Sequence, residues 1–135
     1  MTSAITTKLN IDKRTLLSTL WIFVMINMLK ADILTLYIPG ATDEVIRIAG
    51  DPSSVALLML GGAILVEIST VMIILSRVLP YRANRWVNII IGIITITSIW
   101  GAGSSYPHYL FVATIETIGL LFIIWNAWTW TRQEA

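Results

Sequence analysis

Apolar residues in this chain fall into four long runs, separated by short stretches that hold three of the four prolines and most of the charges. The runs are Thr15–Tyr37, Ser54–Val78, Ala83–Trp100 and Tyr106–Trp130. Each approaches or exceeds the ~20 residues a helix needs to cross hydrocarbon. The third is the shortest, and its wording from Asn88 to Thr97 is rich in isoleucine and threonine, as a strand would be. An isolated strand in lipid would leave its backbone unpaired, and the polar alternation of a barrel is missing. The pattern therefore predicts an all-α integral membrane protein, a four-helix bundle forming one domain over residues 1–135.

The breaks have their own chemistry. Pro39-Gly40 ends the first run, and Asp51-Pro52 suits the cap and first turn of the second. Pro80 biases Leu79 away from helical dihedrals and stops the second run. Gly101 to Ser105 reads as a small-residue turn, with Pro107 in the first turn of the fourth helix. Two readings stand for Thr42–Gly50. One is a short helix capped by Thr42, with Asp43 and Glu44 at its positive end, Gly50 closing it, and Val45, Ile46, Ile48 and Ala49 on the membrane surface. The other is an ordinary loop.

Composition agrees with lipid as the solvent. Hydrophobic residues make up 56% of the 135 positions and charged residues only 13%, about half the soluble norm. Mean hydropathy is +0.80. Cysteine is absent, which excludes thiol chemistry and disulfides, and the single His108 argues against a zinc site. No cofactor is expected. A net charge of +1 without a basic stripe argues against nucleic acid. The first run is too long for a signal core, and no small-residue cleavage pattern follows it, so it reads as an uncleaved span.

Lysine and arginine set the expected orientation. Lys8, Lys13, Arg14, Arg77, Arg82, Arg85 and Arg132 share one side of a four-span chain, against Arg47 and Lys30 on the other. The expectation is a multi-pass protein of the cell membrane with both termini cytoplasmic. Trp21, Tyr37, Tyr81, Trp86, Trp100, Tyr106, Tyr109, Trp125, Trp128 and Trp130 read as interfacial aromatics. Arg77, Arg82 and Arg85 are candidates for anionic lipid headgroups, although their topogenic role already accounts for them.

The informative residues are polar groups inside the runs. Ionisable groups at a span's centre cost roughly 2.5–3.5 kcal/mol on insertion scales and usually face a bundle interior or a wet cavity. Asn27, Asp32, Glu67 and Glu116 are the candidates for binding a ligand or a proton. At about 1.5 Å per residue, Asn27, Glu67 and Glu116 lie near the midplane, with Lys30 and Asp32 further out. Lys30 and Asp32 are about 200° apart on the helix. The longer Lys30 is expected to snorkel outward and Asp32 to face inward.

Glu67 shares a face with Ala63, Ile64, Thr70, Val71 and Ile74, and Glu116 with Val112, Ala113, Gly119 and Leu120. Were the two glutamates to meet, they could not easily both ionise. The alternative reading of each is interhelical glue. Asn88, Asn126 and His108 read as structural groups near helix ends, and Gly61, Gly62 and Gly92 as packing contacts. The similar wording around Glu67 and Glu116 suggests a tandem repeat of two hairpins.

Three stretches carry a resemblance: Leu17–Phe23 with Asn27 and Ala31-Asp32, Leu75–Trp86, and Phe111–Glu116. The chain resembles an uncharacterised prokaryotic domain-of-unknown-function family of small four-span membrane proteins, over nearly its whole length. The resemblance implies the architecture and no reaction. Asn27, Asp32, Glu67, Arg77, Arg82, Arg85 and Glu116 fall on matched positions, whereas Lys30 stands where an aromatic is expected. More loosely, on architecture alone, the chain is similar to DoxX-like four-helix proteins, some linked to quinone chemistry.

Three function classes stay open. The first is binding or moving a small ligand, proton or cation through a polar intramembrane pocket. The second is an accessory or structural membrane subunit, partnered by lipids, by a second copy in a homo-oligomer, or by a larger membrane complex. The third is an enzyme acting on a quinone- or isoprenoid-like substrate; no catalytic motif supports it, and it ranks behind the others.

Overall fold

The computed structural model describes residues 11–101 and 103–134, so Lys8 lies outside the described residues. Among the described residues five α-helices form: α1 (Lys13–Leu36), α2 (Ala41–Ala49), α3 (Val55–Val78), α4 (Tyr81–Gly101) and α5 (Pro107–Thr129). Short 3-10 turns cover Pro52–Ser54 and Arg132–Glu134. No strand occurs among the described residues. Four helices are long and apolar enough to cross a membrane, namely α1, α3 with its leading turn, α4 and α5.

The breaks fall where backbone chemistry puts them. Asp12 caps α1 by accepting from the Thr15 amide. Leu79 is extended, at φ −67° and ψ 145°, and Pro80 follows to turn α3 into α4. Ahead of α3, Asp51 caps the 3-10 turn Pro52–Ser54 by accepting from the amides of Ser53 and Ser54. Hydrogen bonds from the Ser53 and Ser54 hydroxyls, with smaller help from those amides, hold the Asp51 carboxyl below its ordinary pKa.

The stretch after Gly40 is a helix and not a loop. Gly40 is its N-cap in place of the expected Thr42, because φ of +82° there is left-handed, a conformation glycine adopts without strain. Gly50 closes the helix at φ +88°. Asp43 and Glu44 occupy the first turn as expected.

Helix order in space is α3–α1–α5–α4. Long contacts join α1 to both α3 and α5, and α5 to α4, whereas α3 and α4 meet only sparsely. The core holds Leu17, Trp21, Val24, Met72, Ile99, Ala113, Leu120, Ile123 and Trp130. Burial is uneven: α5 buries eight residues, but α3 buries only Ser69, Met72 and Ser76. The two hairpins are therefore used differently, which a symmetric pair of repeats would not give. Close approach of α4 and α5 depends on Gly92, where an added Cβ would sit 2.9 Å from Cγ1 of Ile124.

Basic residues gather at one end. Arg14 donates to the carbonyls of Arg77 (3.2 Å) and Leu79 (2.6 Å), satisfying the C-terminus of α3. Its guanidinium also lies 5.9 Å from the Trp130 ring centre. Lys13 donates to Asn126, and the Tyr81 hydroxyl donates to the Trp130 carbonyl at 2.7 Å. Trp125 and Trp128 are exposed in the manner of interfacial aromatics. Trp21 and Trp130 are not: both are buried core residues, a correction to the interfacial reading, because each ring is enclosed between helices.

Candidate functional site

Two polar regions occupy the interior, and they differ in how well they are satisfied. The first lies toward the basic end. The Trp21 indole donates to Oδ1 of Asn88 at 2.7 Å, and the Ser76 hydroxyl shares that acceptor at 3.2 Å. Asn88 Nδ2 donates to Oδ1 of Asn84 at 2.7 Å, and Asn84 Nδ2 donates to the Ser76 carbonyl at 2.7 Å. Asn84, Asn88 and Ser76 are fully buried. Beside them Arg77 Nε donates to the Ser18 hydroxyl, which donates to the Ile73 carbonyl. A network so closed is a structural clasp. The reading of Asn88 as a structural group agrees with it. The sequence signal for the network was Asn84 and Asn88, one turn apart on one helix face.

The second region lies deeper and contains Glu116. This residue is 3% exposed, near the middle of α5, and its Oε1 is buried without a hydrogen-bond partner. Val112, Ala113, Gly119 and Leu120 share its buried face, as expected. Gly119 fixes what that face meets: a Cβ there would lie 3.0 Å from Phe23 and 3.6 Å from Val24. Because α1 and α5 run in opposite directions, the turn carrying Glu116 faces the turn carrying Asn27. Asn27 is buried, and its Nδ2 donates to the Phe23 carbonyl of its own helix. Asp32 and Tyr109 lie within electrostatic range of Glu116. The Tyr109 hydroxyl donates elsewhere, to the Ile99 carbonyl at 3.0 Å. Further out, the Thr35 hydroxyl and Nε2 of His108 are 3.0 Å apart, another link between α1 and α5.

The remaining candidates separate from this pair. Asp32 is exposed, not inward-facing, because its side of α1 turns out beyond the buried Ala31. Lys30 is exposed as well. Glu67 sits at mid-length on α3, but it is exposed. Its face lines an open groove of about 310 Å³ between α3 and α4, beside Ile64, Ile68, Val71, Met72, Leu75, Val87 and Ile91. The two glutamates therefore do not meet: α1 stands between α3 and α5. Small and apolar neighbours on a helix fit lipid as well as they fit another helix, so periodicity alone could not choose the face.

Of the arginines, Arg82 is exposed, Arg77 bonds Ser18, and the Arg85 guanidinium lies 5.5 Å from the Trp128 ring centre. Residues 6–135 match the model of a family of unknown function, DUF6326. The chain belongs to that family. The match spans all four membrane-length helices, so family membership and architecture agree, and no reaction comes with either. No curated protein and no solved structure matches the chain.

Proposed function

We propose that this membrane protein binds a proton or a small cation at Glu116, in a polar site between α1 and α5, and moves it toward the end bearing Asp32 and His108. The observation that carries the proposal is the buried Oε1 of Glu116, left without a partner in a half of the bundle where other buried polar groups are bonded. A desolvated carboxyl group needs a compensating charge or hydrogen bond. No salt bridge reaches Glu116 among the described residues. A bound proton or cation supplies what is missing. Ionisable groups inside spans commonly mark such pathways. Asn27 on the facing turn provides a neutral oxygen, and Asp32 adds negative potential toward the end away from the arginines.

The orientation that goes with this reading puts both termini in the cytoplasm, following the gathering of Lys13, Arg14, Arg77, Arg82, Arg85 and Arg132 at one end. Arg82, exposed there, would contact anionic headgroups.

The test is flux in liposomes containing the purified protein and an internal pH-sensitive dye, driven by a potassium diffusion potential. Wild type and Glu67→Gln are expected to acidify above empty liposomes, and Glu116→Gln to fall to their level. Equal flux in wild type and Glu116→Gln would overturn the role of Glu116.

A second reading, an accessory subunit docked laterally, is favoured by the uncovered surface of α3. A complex captured intact from native membranes with a fixed second protein would support it.

A further inference from the structure

Most inward-reaching cations at the basic end find a partner within the chain. Arg14 donates to the carbonyls of Arg77 and Leu79, Lys13 to Asn126, and Arg77 to Ser18. Arg85 does not. Its guanidinium lies 5.5 Å from the Trp128 ring centre, and its Nε is buried without a hydrogen-bond partner. The one salt bridge among the described residues joins Arg47 to Glu44 in α2, so no carboxylate offsets Arg85. The acids bordering this end are engaged locally, Asp12 at the Thr15 amide and Glu134 at the Thr131 amide. A guanidinium partly withdrawn from water is costly without a counter-charge. Orientation in the membrane asks only that the charge stay at that end. It does not ask for half-burial on a tryptophan face.

The surroundings say what kind of anion fits. Arg82, exposed, stands one turn before Arg85 on the same flank of α4. Trp125 and Trp128 have the same spacing on α5, and both are exposed. The two pairs come together where Arg85 lies over Trp128. Further along the span this flank turns apolar. Ile93, about three turns on from Arg82, and Leu121, about two turns before Trp128, are exposed. A cationic head above an apolar seam matches a molecule with an anionic head and hydrocarbon tails. Phosphate oxygens suit the free edges of two guanidinium groups. The tryptophan rings suit the ester region that lies between head and tail.

We propose that the α4–α5 flank at the basic end holds an anionic phospholipid, with its phosphate at Arg82 and Arg85 and its tails along Ile93 and Leu121. The site does not depend on the part given to Glu116. A zwitterionic lipid brings its own cation to the two arginines, and a free phosphate forgoes the apolar seam.

The test offers equal amounts of phosphatidylglycerol and phosphatidylcholine to the delipidated full chain in detergent, and counts bound lipid by native mass spectrometry. Phosphatidylglycerol should be favoured, and excess inorganic phosphate should not displace it. Arg85→Gln and Arg82→Gln should each lower its retention roughly 5-fold. Arg82→Gln, a surface change, keeps the test decisive if Arg85→Gln fails to fold. Arg132→Gln removes the same charge from an exposed position beyond α5 and should leave retention nearly unchanged. In liposomes, brominated phosphatidylglycerol should quench tryptophan fluorescence more than brominated phosphatidylcholine, and Trp128→Phe should lose most of that difference. Equal retention of the two lipids, equal loss in Arg132→Gln, or displacement by inorganic phosphate overturns the site.

Discussion

The indole N–H of Trp21 reaches Oδ1 of Asn88 over 2.7 Å, tying α1 to α4, two helices that otherwise scarcely touch. This bond crosses the bundle beneath the turn between α3 and α4. Its acceptor also takes the Ser76 hydroxyl, so one side chain holds three helices together. Above that clasp α3 and α4 separate, and the groove beside Glu67 opens.

Removing the acceptor should be costly. Asn88→Ala leaves the buried donors of Trp21 and Ser76 without their shared partner, at a cost of about 1–3 kcal/mol. Unfolding in detergent, followed by circular dichroism, measures it. Trp21→Phe should cost less in the Asn88→Ala background than in wild type, because the bond it removes is already lost. Full additivity would mean the two residues act independently.

Packing at Gly92 gives a second expectation. Gly92→Ala puts a methyl group 2.9 Å from Cγ1 of Ile124, inside ordinary contact distance. Overpacking of this kind costs about 1–3 kcal/mol. Ile124→Ala in the same chain should recover part of the loss, read as a rise in unfolding temperature over the single Gly92→Ala variant.

At Asp51 the expectation concerns pH. Its carboxylate accepts from both serines that follow Pro52, which holds its pKa below the ordinary value of 3.8. A group depressed on folding adds stability above its unfolded pKa and loses it as pH falls through the lower folded value. The cap should therefore persist through the ordinary carboxylate range and release only in stronger acid. Carbon-13 shifts of the Asp51 carboxyl should titrate below 3.8, and the Ser53 and Ser54 amides should move at the same midpoint.

The helices were legible because lipid imposes length and apolarity on each span, and because Pro39, Pro52, Pro80 and Pro107 mark the breaks. The places of Glu67 and Glu116 midway along their helices were legible from residue counting alone. Their faces were not equally so. Glu116 has Val112, Ala113 and Gly119 beside it and is buried, whereas Glu67 has Ala63, Ile64 and Val71 beside it and is exposed. The local patterns are nearly alike, and the difference arises from α3 standing at the end of the helix order while α5 stands inside it. Trp21 was misplaced for a related reason: tryptophan suits the interface, but a buried acceptor on a distant helix outweighs that preference.

The most direct measurement is infrared difference spectroscopy of the protein in liposomes, titrated with acid and separately with sodium or potassium ions. A carboxylic-acid C=O band from a desolvated group should fall as protons are withdrawn or as a cation replaces them, and it should be missing from Glu116→Gln but kept in Glu67→Gln. A band unchanged in Glu116→Gln, or insensitive to both titrations, contradicts a proton or cation site at Glu116.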